Sequence, residues 1–287
     1  MPYGVINADQ IQSSVSGVSL GAGNATLLKN RLIDAGFIIN QRGYVSNTSL
    51  SAGTYAHDRW KAGASGCTYT FTQGSLGVPI VITITAGSLQ QVIEGCNMPD
   101  GGTFTLSWTG TAQGRVNGGS YGSSPLAVTG LTAGANCTIE FNTGTLSFPQ
   151  LEVGSSATGF EYVNYQTSLA NCQRYYETNS PAGTAPSNTT SYLARQLLTA
   201  YSTGAAASNV SFIVSKRATP TITVYGGSIS SSANWSIYVG GVFLTATTSA
   251  AGAINNTGFE AELARGATFT TGNCYISQIG WSASAEL

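Results

Sequence analysis

The chain has 287 residues, only 8% of them charged, with a net charge of −1 and 36 glycines. Ordinary soluble domains carry roughly 25% charged residues, so this surface is built from Ser, Thr, Asn and Gln instead. The eleven Lys and Arg are scattered, Lys216-Arg217 being the sole adjacent pair; binding a phosphate backbone needs clustered cations, so nucleic acid is not an expected partner. No run of about twenty apolar residues is present, so membrane insertion is not expected.

The length suits one large β domain or two medium ones. Residues 1–35 form a distinct opening. Val5, Ile6, Ile11, Val15 and Val18 are apolar in a Gly/Ser-rich, extended context, and Asn24 to Asp34 (NATLLKNRLID) reads as a short helix or strand. Alone such a segment buries too little to fold, so it is expected to dock elsewhere. The first residues, Met-Pro-Tyr-Gly-Val-Ile-Asn, lack a basic region followed by an apolar stretch, so a signal peptide is not expected.

Strand signals begin near Gly36. Residues 67–73 (CTYTFTQ), 79–86 (PIVITITA), 103–109 (TFTLSWT), 135–142 (ANCTIEFN) and 145–153 (TLSFPQLEV) alternate or are β-branched, with Gly-rich turns between them. Short, regularly spaced strands predict a sandwich or jelly roll. Residues 167–178 (TSLANCQRYYET) predict a helix, capped by Thr167 or Ser168, with Leu169, Cys172, Tyr175 and Tyr176 at helical spacing. Residues 180–190 read as a loop. A second strand series follows at 209–215, 220–225, 234–239, 242–247 and 274–281. Residues 218–259 hold no Asp, Glu, Lys or Arg, and uncharged strands invite edge-to-edge pairing unless oligomerisation covers them. The expected fold is therefore all-β: an extended arm (1–35), a jelly-roll β-sandwich (36–165), a connecting helix (166–178) and a C-terminal β-sandwich (179–287).

Chemistry-bearing motifs are few. His57-Asp58-Arg59-Trp60 is the densest polar cluster, but a base oriented by its sequence neighbour is not how nucleophile triads are built. The expected reading is structural, with Asp58 and Arg59 paired and Trp60 in the core. Glu94, Asp100, Glu140, Glu152 and Glu161 are candidates for a glycosidase acid pair, yet nothing brings two together. Cys67, Cys96, Cys137, Cys172 and Cys274 show no C-x-x-C spacing, so free, mostly buried thiols are expected rather than zinc or redox sites. Gly21-Ala22-Gly23 lacks the context of a nucleotide fingerprint. No metal, cofactor or catalytic residue is expected. Tyr121, Tyr192, Tyr201, Tyr225, Trp235 and Tyr238 lie among Gly, Ser and Asn, where an aromatic plate beside polar handles suits sugar rings; the alternative is that they pack the cores.

Several patterns resemble bacteriophage tail fibres and virion appendages. The opening Tyr3-Gly4-Val5-Ile6-Asn7-Ala8-Asp9, then Gly21-Ala22-Gly23-Asn24 and Leu28-Lys29-Asn30-Arg31, resembles their virion-proximal arm. Phe37-Ile38-Ile39-Asn40-Gln41-Arg42-Gly43 with His57-Asp58-Arg59-Trp60 resembles the entry into their jelly roll. Pro149-Gln150-Leu151-Glu152-Val153-Gly154, Ala157-Thr158 and Phe160-Glu161, leading to Leu169-Ala170-Asn171-Cys172-Gln173-Arg174-Tyr175-Tyr176, resembles its last strand and following helix. The ending Trp281-Ser282-Ala283-Ser284-Ala285-Glu286-Leu287 also fits.

The resemblance covers residues 1–178 and the last few; residues 179–280 match no motif. It implies a jelly roll like those of carbohydrate-binding modules, a homotrimer, and a non-enzymatic protein that attaches the virion to host polysaccharide or lipopolysaccharide. Assembly would occur in the host cytoplasm, before exposure on the virion surface. Val5, Ile6, Ile11, Leu27 and Leu28 are the expected virion anchor, meeting a tail adaptor, hub or capsid protein. Tyr225, Trp235 and Tyr238 are the expected ligand-binding aromatics of a receptor-binding module. A head fibre or capsid decoration protein is the alternative, and a polysaccharide depolymerase a further one.

Overall fold

In a computed structural model, which describes residues 29–181, 183–188, 195–226 and 233–287, the chain is mostly β, with 44% strand and, among the described residues, one short α-helix. The expected anchor residues Val5, Ile6, Ile11, Leu27 and Leu28, and Tyr192, lie outside the described residues.

The first module contains β1 (Lys61–Phe71), β2 (Ile82–Ile93), β3 (Gly102–Thr109), β4 (Gly114–Val116), β5 (Leu126–Leu131), β6 (Cys137–Phe141) and β7 (Gly144–Val153). They form one antiparallel sheet in the order β4-β6-β2-β7-β3-β5, with β1 also on β2. Alternation drives its closure. In β6, Cys137, Ile139 and Phe141 point inward, and in β3 Phe104, Leu106 and Trp108 do the same. Close backbone approach sets one sharp bend: Gly87 has a φ of +68°, and a Cβ there would sit 2.0 Å from Gly66 O, so only glycine fits.

Residues 29–35, read from sequence with the arm, pack on this module. Leu32 and Ala35 are buried in its core, Gln91 exchanges side-chain hydrogen bonds with the Ile33 backbone, and Asn30 Nδ2 donates to Pro149 O.

The helix α1 spans Tyr165–Gln173 and is capped by Asn164, whose side chain accepts from Thr167 N, rather than by Thr167 or Ser168. It is shorter than the sequence pattern predicts, because Tyr176–Thr178 leaves as strand β8.

The second module holds β9 (Arg195–Ala200), β10 (Ala205–Ser211), β11 (Thr221–Tyr225), β12 (Ser236–Val239), β13 (Val242–Thr245), β14 (Thr248–Gly252), β15 (Gly258–Ala264), β16 (Cys274–Gln278) and β17 (Gly280–Ser284). Seven form a sheet in the order β13-β12-β16-β9-β10-β15-β14; β11, β17 and β8 form a second, smaller one. Trp235, Ile237, Leu198, Phe259, Leu263 and Trp281 fill its core. Of the two large sheets, one curls to near closure as a barrel and the other to half a barrel.

The chain enters this module on β8 and leaves on β17, and these two strands pair antiparallel, Tyr176 opposite Ser284. The last residues then return to the first module. Tyr55 Oη and Lys61 Nζ each donate to Leu287 O at 2.7 Å, and Glu286 pairs with Arg42 and Arg59.

Candidate functional site

The three aromatics expected to form one platform are not gathered. Trp235 is fully buried, its Nε1 donating to Gly280 O at 2.9 Å, so it offers no face to a ligand. The reason is the strand pattern: Trp235 and Ile237 alternate into the core, where a large apolar side chain gains most. Tyr225 lies half-buried on the small sheet, its hydroxyl 3.3 Å from Ser282 Oγ. Tyr238 is 41% exposed on the large sheet.

Tyr238 is held by a tight hairpin. β12 and β13 join through Gly240-Gly241, with φ of +60° and +91°. Two central residues with positive φ are the requirement of a turn that follows strand twist, and glycine meets it without strain. The register sets Tyr238 opposite Phe243, ring centroids 5.1 Å apart, and the Arg195 guanidinium lies 5.4 Å from the Phe243 ring centre. Leu197 is 60% exposed, and Ile276 pairs with it in register. This outer face combines exposed aromatic and aliphatic plates with the cation Arg195 and neighbouring amide and hydroxyl groups, a combination suited to sugars. The exposed leucine and the Arg195–Phe243 contact were missed from sequence, because Arg195 to Ala200 (RQLLTA) shows no alternation.

The polar cluster at 57–60 is structural. His57 is buried, Nδ1 2.7 Å from Tyr69 Oη and its ring among Phe37, Tyr44 and Phe71; burial pushes its pKa down to about 3. Trp60 is in the core as expected, its Nε1 donating to Asp34 O. Asp58 and Arg59, expected to pair with each other, pair elsewhere. Asp58 meets Arg42 at 3.4 Å and accepts from Gln41, while Arg59 meets Glu286 and stacks 3.6 Å from the Tyr175 ring centre. The two lie in a turn closed by Trp60 N donating to His57 O, with Arg59 at a φ of +71°, and each side chain takes a partner of its own: Asp58 takes Arg42 and Gln41 within the first module, and Arg59 takes Glu286 of the returning tail. Burial lifts the Asp58 carboxyl to about 6, against the pull of Arg42 and Gln41.

The five acids weighed as a glycosidase pair are each engaged. Glu94 meets Arg174 and Arg217, and Asp100 meets Arg31. Glu152 accepts from Thr158 and Gln150, and Glu161 from Asn30 N. Glu140 accepts from Ser88, Tyr121 and both Nε and Nη2 of Arg115. Burial pushes the Glu140 carboxyl up, but these hydrogen bonds outweigh it and hold it below its usual value. Tyr121, read as an exposed plate, is thus tied to Glu140 and lies under the Arg115 guanidinium at 4.5 Å.

Cys67, Cys137 and Cys172 are buried, while Cys96 and Cys274 are exposed. Among the described residues no group of three or more His, Cys, Asp or Glu is placed to hold a metal ion, and no helix is long and apolar enough to cross a membrane. Comparison with protein-family models, with curated proteins and with solved structures finds no match.

Proposed function

We propose that this chain is a bacteriophage virion appendage protein of the tail-fibre kind, a homotrimer that attaches the particle to host-surface glycans through its second module. One observation carries the reading: the strands by which the chain enters and leaves that module, β8 and β17, are paired neighbours. The module is therefore held at one side, against the first module, and its remaining strands and loops are available to face outward. Binding surfaces on rigid β scaffolds are commonly built this way.

The Tyr238 face is the attachment surface of this proposal. Its aromatic and aliphatic plates pack sugar rings, and Arg195 and neighbouring hydroxyls supply hydrogen bonds. The charge-poor strands of residues 218–259 support oligomerisation, since interface centres are depleted in charge.

Imaging of particles with this chain labelled, together with adsorption of purified protein to host cells, tests the reading. Label at the tail tip and adsorption weakened several-fold by Tyr238→Ala are expected. Label confined to the capsid, or a Tyr238→Ala variant that adsorbs like the parent, contradicts it.

A further inference from the structure

An apolar surface lies on the first module, apart from the Tyr238 face. Among the described residues ten large hydrophobic side chains stand exposed, and five of them surround the connection between β1 and β2: Val45, Leu76, Val78, Val81 and Tyr162, each more than half exposed. The contacts join them. Ser46 Oγ accepts from Phe71 N and Asn47 N donates to Tyr69 O, which lays Val45 along the end of β1. Phe71 pairs in register with Ile82, next to Val81. Gly77 approaches α1 so closely that a Cβ there would lie 3.4 Å from Tyr165 Cβ. Gly77 and Pro79 also share the walls of a cleft of about 320 Å³ with Phe160 and Tyr162. The Tyr162 ring meets Phe160 edge-on at 5.0 Å and Phe148 at 6.0 Å, so its exposed side is held in place.

The chemistry of this surface narrows its occupant. Residues 62–93, which supply Leu76, Val78 and Val81, contain no Asp, Glu, Lys, Arg or His. Beside Val81 the outward face of the sheet carries Thr70, Thr83 and Thr145, with Thr83 opposite both of the others. Charge stands at the border, where Lys29 donates to Thr158 and Gly159, and Glu161 accepts from Asn30 N. A contiguous exposed apolar patch marks a place where another molecule packs. Next to a rotation axis a patch meets copies of itself, so any charge within it would face a like charge; these residues carry none. A threonine hydroxyl both donates and accepts, so a threonine row can pair with its own copy. A partner recognised through charge would need a complementary sign, and the centre of this patch offers neither. Interface centres are depleted in charge for the same reason.

We propose that the homotrimer is held together through this surface, with the β1–β2 connections of the three copies packed around the axis, Leu76, Val78 and Val81 at the centre and Tyr162 at the rim. The proposal rests on the homotrimer of the reading above and assigns it a surface in the first module.

Two measurements on the full-length protein test it. Light scattering at micromolar concentration is expected to give three times the chain mass for the parent. Leu76→Glu with Val81→Glu, both at exposed positions, is expected to give a single chain mass with an unchanged circular dichroism spectrum. Ile213→Glu, at a similarly exposed apolar position outside the patch, is expected to stay trimeric. Nitration by tetranitromethane reads the surface in the parent itself. Tyr162 is more exposed than Tyr238 in the single chain, yet it is expected to react several-fold more slowly in the parent and faster than Tyr238 in the double variant. If the double variant does not fold, the nitration ratio of the parent decides. A double variant that stays trimeric, an Ile213→Glu variant that also dissociates, or a trimeric parent in which Tyr162 reacts faster than Tyr238 overturns the surface and leaves the trimer standing. Slow Tyr162 nitration that persists in a monomeric double variant means that the chain covers its own patch, and overturns the proposal as well. A monomeric parent overturns the trimer, and the surface with it.

Discussion

Arg42 Nη2 lies 3.0 Å from Glu286 Oε1, across 244 residues of sequence. The other Glu286 oxygen takes Arg59, so one carboxylate near the end of the chain bridges two guanidiniums of the first module, Arg42 having Asp58 as a second partner. Arg42 is also stacked 3.7 Å from the Tyr176 ring centre, at the start of β8. The same few residues therefore fix the returning tail and the strand that opens the second module.

Glu286→Ala leaves Arg59, whose side chain is 1% exposed, without a carboxylate. Removing one partner of a buried pair costs about 3–5 kcal/mol. The lower end is expected here, since Arg59 keeps its bond to Val92 O and its contact with Tyr175. Calorimetry should show a lower transition temperature and separate melting of the modules. A single unshifted transition would show that the tail does not couple them.

His57 makes stability pH-dependent. Its imidazole titrates near 6.5 when unfolded and near 3 when folded, so unfolding takes up a proton between those values. Stability from this group is therefore lost as pH falls from about 6.5 to about 3, with a limiting slope of about 1.4 kcal/mol per pH unit. Asp58 acts oppositely. Its folded pKa of about 6 exceeds the unfolded 3.8, so stability is gained as pH falls between those values. Denaturant titrations of the parent and of His57→Phe isolate the histidine: the parent should lose stability relative to the variant steadily below pH 6.5. A constant difference across this range refutes the assignment.

Lys216 and Glu177 form a fully buried pair at 2.6 Å, with Glu177 also accepting from Ile213 N. Lys216→Met strands the carboxylate and should cost about 3–5 kcal/mol. Lys216→Met with Glu177→Gln should recover most of that, because the amide oxygen still serves the backbone donor. Equal instability of the single and double variants, measured by urea unfolding, contradicts a charge-based account.

The thiols divide by burial. Burial pushes Cys67 up to about 12 and Cys137 to about 11, and Cys172 well above its usual value, so none of the three supplies a thiolate near neutral pH. Mass spectrometry after brief alkylation should find Cys96 and Cys274 modified in the native protein, and all five only after denaturation. Early labelling of Cys172 would mean that the junction opens readily.

The homotrimer is tested by light scattering of the purified protein at micromolar concentration. Three times the chain mass is expected, and a monomer would contradict the proposal.

The sequence determined the all-β class and most strands of the first module, because a half-buried strand alternates and these segments are rich in Thr, Ile, Val and aromatics. It also placed Trp60 in the core. The second module was less legible. Residues 205–208 and 248–252 are mostly small (AAAS, TSAAG), with too little apolar contrast to mark a face. Gly258–Ala264 does alternate, Phe259, Ala261 and Leu263 buried between Glu260 and Glu262, and is the signal that reading overlooked. Only tertiary structure decided the partners of charge. Asp58 and Arg59 adjoin in sequence but pair with Arg42 and Glu286, because buried charges take whatever counter-charge the folded chain delivers, at any sequence distance. Burial of Trp235 and exposure of Tyr238 were likewise decided there: composition puts both in the same Gly/Ser-rich stretch, and only the position of each on its folded strand separates a core residue from a surface one.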